Sequence, residues 1–317
     1  MTAALLILTL ALGAVPDARP QGVADVREAV RRSIPYIESK GEWWIAEKKC
    51  VSCHRAGNMV WALGAARRRG FDVGPRLDEW FAWSLDKSLS KNDKGKVDGS
   101  ANLEGVAQLL FARDLFPSAG RDDTYRQLQD LVAAGQQPDG GWAPGGQLPA
   151  QKRPAEETAA VSTAWVALAL PAQGKDEAFG KAVDKFSASA PGKSAEWYAV
   201  GLLLADRTGD RRRVADLVTQ LRGQQNADGG WGWTVCEDSD ALGTGLALYA
   251  LLRTGLPGDD ATARRARHFL VESQRDDGSW PVRGTKANKK TGVEETAVYW
   301  GTTWATLALV EGLPPAH

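Results

Sequence analysis

Cysteine, methionine and histidine are all scarce: three, two and three respectively in 317 residues. Three cysteines cannot form the disulfide framework on which small secreted folds depend, and two of them, Cys50 and Cys53, share one short motif, leaving Cys236 alone. A second Cys-x-x-Cys is absent, so a structural zinc site with four cysteine ligands is not available. Net charge is missing too, since 39 Lys and Arg balance 39 Asp and Glu. That balance gives no electrostatic footprint for nucleic acid. No apolar run approaches the ~20 residues that a membrane-spanning helix requires. What is plentiful is tryptophan: thirteen, against five Tyr and seven Phe. Such a ratio asks for repeated packing units or an aromatic-lined cavity.

The apolar stretch from Ala3 to Val15 ends in the small residues Ala11, Gly13 and Ala14 and is broken by Pro16, Asp17 and Arg19. It reads as the core of a secretory leader covering residues 1–20, with a buried terminal helix as the alternative. The expectation is a periplasmic or otherwise exported chain of residues 21–317, with membrane association only through an uncleaved leader. Cys50-Val51-Ser52-Cys53-His54 then spells the attachment motif of c-type haem. Two thiols three positions apart can each add to a vinyl group, and the adjacent imidazole of His54 reaches the iron. The competing readings are a thioredoxin-like pair and half a zinc site. Met59 follows His54 on the same predicted helix, only ~7.5 Å further along, and cannot reach the opposite haem face. His268 sits in a partly solvated outer segment. Covalent haem c with its iron on His54 is therefore expected to be five-coordinate or to use a sixth ligand that the sequence does not identify, and an open iron position would favour ligand binding or redox catalysis over plain electron transfer. A redox partner is expected.

Three segments repeat: Gln137-Pro138-Asp139-Gly140-Gly141-Trp142, Gln225 to Trp231, and Gln274 to Trp280. Each follows a charged helical pattern and precedes one of small and apolar residues, giving outer helices (Asp123 to Ala134, Arg211 to Arg222, Ala261 to Ser273) and inner ones (Glu156 to Leu170, Glu237 to Leu251, Glu294 to Leu309). Trp142 and Trp231 are 89 apart but Trp231 and Trp280 only 49, so a degenerate unit is expected between the first two. Asp176 to Ser187 with Ser194 to Arg207 supplies it, turning at Pro191-Gly192. Leu77 to Ser88 with Leu103 to Leu115, and Val23 to Ser39 with His54 to Arg68, complete six hairpins. A hairpin of this kind cannot bury its apolar face alone, and six can close into a ring without uncapped ends. The predicted fold is all-α: a single (α/α)6 toroid, with an open superhelix of helical pairs as the alternative.

At the three Gln to Trp segments and at Glu237-Asp238-Ser239-Asp240-Ala241-Leu242-Gly243-Thr244-Gly245, the chain resembles the squalene-hopene cyclase and prenyltransferase repeat superfamily over roughly residues 120–311. The resemblance implies a terpenoid-cyclase-like toroid. It also places Asp240, in an Asp-x-Asp-Ala segment that departs from the cyclases' Asp-x-Asp-Asp, at the position of the proton donor, with Asp238 beside it. The zinc of the prenyltransferase members is not expected: Cys236, Asp238 and His268 supply the residue types without the spacing. Acids at the inner-helix starts, among them Glu156, Glu157, Asp238, Asp240, Glu294 and Glu295, have a simpler explanation as caps that offset unpaired amides.

Three functions follow as expectations. The first is an exported c-type haem protein with a redox or electron-transfer role and a ligand cavity. The second is a non-redox module that binds a small apolar lipid, or a peptide, with haem as a structural pin. The third is a degenerate squalene or isoprenoid cyclase with Asp240 as acid. Trp43, Trp44, Trp61, Trp80 and Trp83 are expected near the haem, at a mouth ringed by the inner-helix acids.

Overall fold

The computed structural model describes residues 22–51, 54–116, 120–146, 148–170, 177–288 and 292–315. Among them the chain forms twelve α-helices, and extended backbone is limited to isolated bridges. The odd-numbered helices are α1 (Val23–Trp43), α3 (Leu77–Leu89), α5 (Asp122–Ala134), α7 (Glu177–Ser187), α9 (Arg211–Gly223) and α11 (Ala261–Glu272). Alternating with them are α2 (His54–Arg68), α4 (Leu103–Ala112), α6 (Ala155–Leu168), α8 (Ala195–Thr208), α10 (Ala241–Arg253) and α12 (Glu295–Glu311).

The odd helices are amphipathic. In α5, Tyr125, Leu128 and Val132 are buried, and in α9 Leu217 and Leu221, so apolar residues three or four apart make one inward stripe. The even helices are buried nearly all round, as in α12, where every residue from Ala297 to Val310 is enclosed. A helix that is apolar or small on all faces has to lie inside. The even helices contact one another in the cyclic order α2, α4, α6, α8, α10, α12 and back to α2, while α1 packs on both α11 and α12. The toroid is closed, as the sequence pattern predicts, and the open superhelix is set aside.

The Gln to Trp turns are the fasteners. Trp142, Trp231 and Trp280 are all buried, and each indole N–H donates to a carbonyl in the preceding outer helix: Val132 at 2.8 Å, Leu221 at 2.8 Å and Leu270 at 2.6 Å. Their backbone amides donate to Thr163, Thr244 and Thr302 on the following inner helix at 3.0, 2.9 and 3.2 Å. Asp139, Asp228 and Asp277 hold the turn by accepting the amide two residues on. The glutamine amide spans to the next outer helix, from Gln136 to Ala178 O (2.7 Å) and from Gln225 to Thr262 O (3.0 Å). In the first repeat the working residue is therefore Gln136, one place before the predicted Gln137. In the third repeat, Gln274 reaches Ala29 O of α1 at 2.8 Å, joining positions 245 residues apart and closing the ring. Between the first two fasteners the degenerate unit uses a carboxylate instead: Glu157 accepts the amides of Lys193 and Ser194, both at 2.9 Å.

Glycine is required in these turns. Gly140, Gly229 and Gly278 have φ of +85°, +90° and +81°, and a Cβ on Gly229 would lie 2.6 Å from Arg265 O of the neighbouring helix. At Gly278 the clash would be with Arg32 O of α1. Gly255 shares the left-handed conformation (φ +96°) but faces open space. Gly255→Ala should cost about 1–2 kcal/mol, the usual left-handed penalty. Gly278→Ala should lower the denaturation midpoint markedly further, because the ring seam must also open; equal losses in urea titrations of the two variants would show that the seam carries no extra load.

Candidate active site

The ring encloses a cavity of about 640 Å³ that opens at the C-terminal ends of the inner helices. Its lining includes Leu110 to Asp114 at the end of α4, Leu168 to Leu170 after α6, Leu203, Asp206 and Arg207 on α8, and Tyr249 and Arg253 on α10. This opening is at the end opposite to the inner-helix starts, where the sequence pattern had placed a mouth. Two rim arginines are engaged. Arg207 donates to Leu168 O, and to Leu170 O at 2.6 Å, capping α6, while Arg253 lies 3.5 Å from Glu311.

Inward from the rim, five inner helices each contribute one aromatic ring: Trp61, Phe111, Trp165, Tyr249 and Trp304. Neighbouring centroids are 5.1 Å (Trp61 and Phe111), 6.1 Å (Phe111 and Trp165), 5.4 Å (Trp165 and Trp304), 5.6 Å (Tyr249 and Trp304) and 5.7 Å (Trp61 and Tyr249) apart. These are the separations of tilted and edge-on pairs in a packed collar. Much of the unusual tryptophan content goes into this collar and the three fasteners.

Behind the collar, towards the inner-helix N-termini, is a chamber of only about 10 Å³ lined by Trp61, Glu104, Gln108, Phe111, Trp165, Glu196, Trp300 and Trp304. Two buried carboxyl groups meet it, from the first turns of α4 and α8. Their surroundings drive them apart. Glu196 is bound by Arg153 at 2.6 Å and by the Trp165 indole N–H at 3.0 Å, so its charge is matched. Glu104 has one donor, the Ser162 hydroxyl at 2.8 Å. Burial, reinforced by the Glu196 charge, pushes its pKa from 4.5 up to about 7, with the Ser162 bond and Arg153 pulling the other way. Glu104 is thus a buried acid with its pKa raised to about 7, whereas Glu196 is engaged in an ion pair with Arg153.

Neither Glu104 nor Glu196 was singled out in the sequence. The signal for both was present, because each lies in the first turn of an inner helix, as Glu157 and Glu295 do. The residues that were singled out go elsewhere. Asp240 caps α10, accepting from Gly243 N and Trp233 N, both at 2.8 Å; burial raises its pKa to about 6 against those amides. Asp238 is 81% exposed and lies 3.2 Å from Arg283. Neither lines the cavity. Glu294 caps α12, and Glu295 pairs with the buried Arg55. Trp44 stacks on Arg55 with its ring centroid 4.8 Å away, and Trp80 is in the core under α3.

No family model matches the chain. Drimenyl diphosphate synthase from Streptomyces showdoensis is 36% identical over 81 residues, which is 25% of this chain and 15% of that enzyme. The drimenyl diphosphate synthase of Streptantibioticus cattleyicolor is 39% identical over 70 residues, 22% of this chain and 13% of the enzyme. The matched stretch thus spans a small part of each relative's length. Among solved structures, a variant of a type II terpene cyclase from Scytonema, in complex with its substrate geranylgeranyl dihydroxybenzoate, aligns over 92% of this chain and 98% of its own with a TM-score of 0.62 at 14% identity. A possible member of the GH105 family from Klebsiella pneumoniae aligns over 98% of both chains with a TM-score of 0.57 at 12% identity. At such identities the likeness is one of fold, and that fold is the terpene cyclase-like α/α toroid.

These findings overturn the haem assignment. The sequence relatives reported are drimenyl diphosphate synthases, and the structural neighbours include type II terpene cyclases. Among the described residues no group of three or more His, Cys, Asp or Glu converges as metal ligands would. The Trp44 indole donates to Cys50 O at 2.9 Å, the Arg55 guanidinium contacts the rings of Trp44 and Tyr299, and neither Cys50 nor Val51 lines the cavity or the chamber. Met59 is buried, with its sulfur against Gly41 of α1, and His268 is on the outer helix α11. Cys53 and the His54 side chain lie outside the described residues, as does the 1–20 leader. Haem c, iron at His54, electron transfer, the structural haem pin and the redox partner are withdrawn together.

Two outcomes test the electrostatics. Arg153→Met leaves Glu196 buried and unpaired, and should destabilise the fold by about 3–5 kcal/mol in chemical denaturation. Because Glu104 holds a proton in the folded state that the unfolded chain releases, its contribution to stability is complete below pH 4.5 and is lost as pH rises to about 7. Glu104→Gln should therefore gain in melting temperature relative to the parent across that interval; parallel curves would exclude the raised pKa.

Proposed function

We propose that this protein is a single-toroid isoprenoid cyclase that begins its reaction with the proton of Glu104. The observation that supports the reading best is a buried carboxyl with a raised pKa, in a small chamber directly behind the aromatic collar of the central cavity. A linear polyprenyl chain suits the aromatic part of the walls. The donated proton makes the chain end electron-poor, and the next double bond attacks it. The positive charge then moves along a path lined by Trp61, Phe111, Trp165, Tyr249 and Trp304, whose faces stabilise a desolvated cation by up to about 2 kcal/mol each. Pre-oriented ring faces need no rearrangement as the charge develops, which is how fixed electrostatics lower a barrier. The narrow chamber leaves little room for bulk water that would trap the cation early.

The drimenyl diphosphate synthases and the Scytonema enzyme support the substrate class, because their names refer to isoprenoid products and substrates. The competing assignment within the same reading is Asp240 as proton donor, with Asp238 beside it, as the resemblance of that segment suggested. Asp240 has a raised pKa but spends its carboxylate on two backbone amides. Export through a leader at residues 1–20, with 21–317 as the mature toroid, belongs to the proposal too, and N-terminal sequencing of protein recovered from the periplasm checks it.

The test is product analysis by gas chromatography and mass spectrometry on linear polyprenyl alkenes and their terminal epoxides. Glu104→Gln should reduce cyclic product by at least about a hundredfold, the usual scale for loss of a general acid. Asp240→Asn should keep turnover while costing about 1 kcal/mol as a weakened cap. The opposite pattern would assign the donor to Asp240. Since Glu104 must be protonated, kcat/KM should fall as pH rises through about 7.

A further inference from the structure

Two chain segments meet across the ring at the inner-helix starts. Helices α6 and α12 stand opposite one another in the cyclic order, yet the segment before α6 pairs with the segment before α12. Lys152 N donates to Thr285 O at 2.8 Å and Ala287 N to Ala150 O at 3.0 Å, with Gln151 and Lys286 opposed in an antiparallel bridge. The second segment is itself a narrow hairpin, bridged at Arg283 and Val293 and bonded from Gly284 N to Gly292 O at 2.9 Å. Both segments are tied to the turn before α10. Lys152, its side chain 12% exposed, lies 2.6 Å from Glu237, and Arg283 lies 3.2 Å from Asp238. The Glu237 to Asp240 stretch, which resembles a donor motif, thus receives the two ion pairs that hold the crossing segments down. Polar contacts do most of the holding. Leu148 is the one large apolar side chain that residues 148–152 bury, while Pro149, Ala150 and Ala287 are exposed. A segment with little buried apolar surface and few backbone bonds belongs to the low-stability end of a fold and opens without the rest. Closed, it also leaves polar atoms unsatisfied: Gln151 Oε1, Arg153 Nη2 and Trp233 Nε1 belong to residues no more than 7% exposed and have no hydrogen-bond partner. Hydration on opening relieves part of that cost.

We propose that residues 148–152 and the hairpin arms 283–288 and 292–293 form a lid, latched by Lys152 to Glu237 and Arg283 to Asp238, that opens while the ring stays closed and admits water to Glu104. The purpose rests on the cyclase reading above; the opening itself does not. Each transfer of the Glu104 proton leaves a carboxylate, which must take a proton from solvent before the next turnover. From the wide mouth that route is interrupted by the aromatic collar. The lid is nearer: Lys152 adjoins Arg153, whose guanidinium reaches Glu196 on the chamber wall at 2.6 Å. Arg153 is anchored separately, to Thr158 and Ser194 at 3.2 Å each, so the chain can lift as far as Lys152 while the Glu196 ion pair stays in place. A shut lid keeps bulk water from a developing cation, and an open one lets the acid recharge. Because both latches are partly solvated, salt screens them and shifts the balance towards opening.

Two measurements on the full chain test the lid. Amide hydrogen exchange, resolved to single residues, compares Lys152 and Ala287 in the lid with Trp280 in the ring. The lid amides should exchange at least about tenfold faster than Trp280. Glu237→Gln combined with Asp238→Asn should speed them by about a further fivefold and leave Trp280 unchanged. The second measurement follows the infrared carboxyl band of Glu104, identified by its loss in Glu104→Gln, as it shifts after transfer into heavy water. Gln151→Cys with Lys286→Cys, in a Cys236→Ser background, sets two thiols at opposed positions of a bridge whose Cα atoms are about 4.5 Å apart, within reach of a disulfide. The crosslinked form should slow the band shift at least about tenfold and reduction should restore it, with the Cys236→Ser chain alone, treated in parallel, unaffected. Lid amides that exchange in step with Trp280 would show the lid to be part of the ring and overturn the proposal. A band shift unaltered by the crosslink would show that water reaches Glu104 by another way, and would overturn the lid's role. Lid opening and the crosslink effect both present, in a chain that makes no cyclic product from any polyprenyl probe, would sink the cyclase reading and leave the lid standing.

Discussion

The hydrogen bond from Gln274 to the carbonyl of Ala29 is the constraint on which the rest depends, because it converts a row of hairpins into a ring. Arg32 strengthens the seam by donating to the same glutamine's oxygen at 3.0 Å, and Thr306 of α12 meets Ser33 of α1 at 2.8 Å just inside it. An open array of helical pairs has terminal units with an unpaired apolar face, whereas a closed one has none. Closure also fixes the axis. Once six inner helices are held in a circle, a residue at a given height on each helix faces its five counterparts, and a collar of aromatic rings becomes possible without any long-range pairing being specified separately.

That geometry explains how opposing demands are met in one cavity. Acids at inner-helix starts are favoured by the unpaired amides there. Asp240 and Glu294 follow that rule and turn back onto their own helices, leaving nothing for chemistry. Glu104 and Glu196 are also in first turns but face the axis, where they cannot be solvated. Arg153 neutralises one of them and touches three further groups to stay put: Thr158 at 3.2 Å, Ser194 at 3.2 Å and, over the ring of Trp233, an aromatic face at 5.3 Å. The other carboxyl is left to retain its proton. The difference between a cap and a candidate acid is thus a matter of which way the side chain turns within one helical turn.

Much of the fold was legible in the sequence. The inner and outer helices differ so strongly in composition that all six hairpins could be placed, including the one lacking a Gln to Trp turn, because burial on every side demands small and apolar residues regardless of neighbours. The one-residue displacement from Gln137 to Gln136 arose because the two glutamines are adjacent and the turn length is set by which one reaches Ala178. The site was much less legible. Asp240 stood out through its neighbours in sequence, while Glu104 sits in Leu103-Glu104-Gly105, a segment with no motif. Its role comes from Ser162, Arg153 and Glu196, which lie 58, 49 and 92 positions away and meet it only after the ring has closed.

The haem expectation failed for a related physical reason. A five-residue motif specifies what could be attached, but not whether the surrounding chain leaves a slot for it. Beside Cys50 the Arg55 guanidinium contacts the rings of both Trp44 and Tyr299, and neither Cys50 nor Val51 faces the enclosed space of the toroid. The space that the fold does provide is at the axis. It is wide at the C-terminal ends of the inner helices and ends at the aromatic collar, behind which Glu104 stands beside a chamber of about 10 Å³.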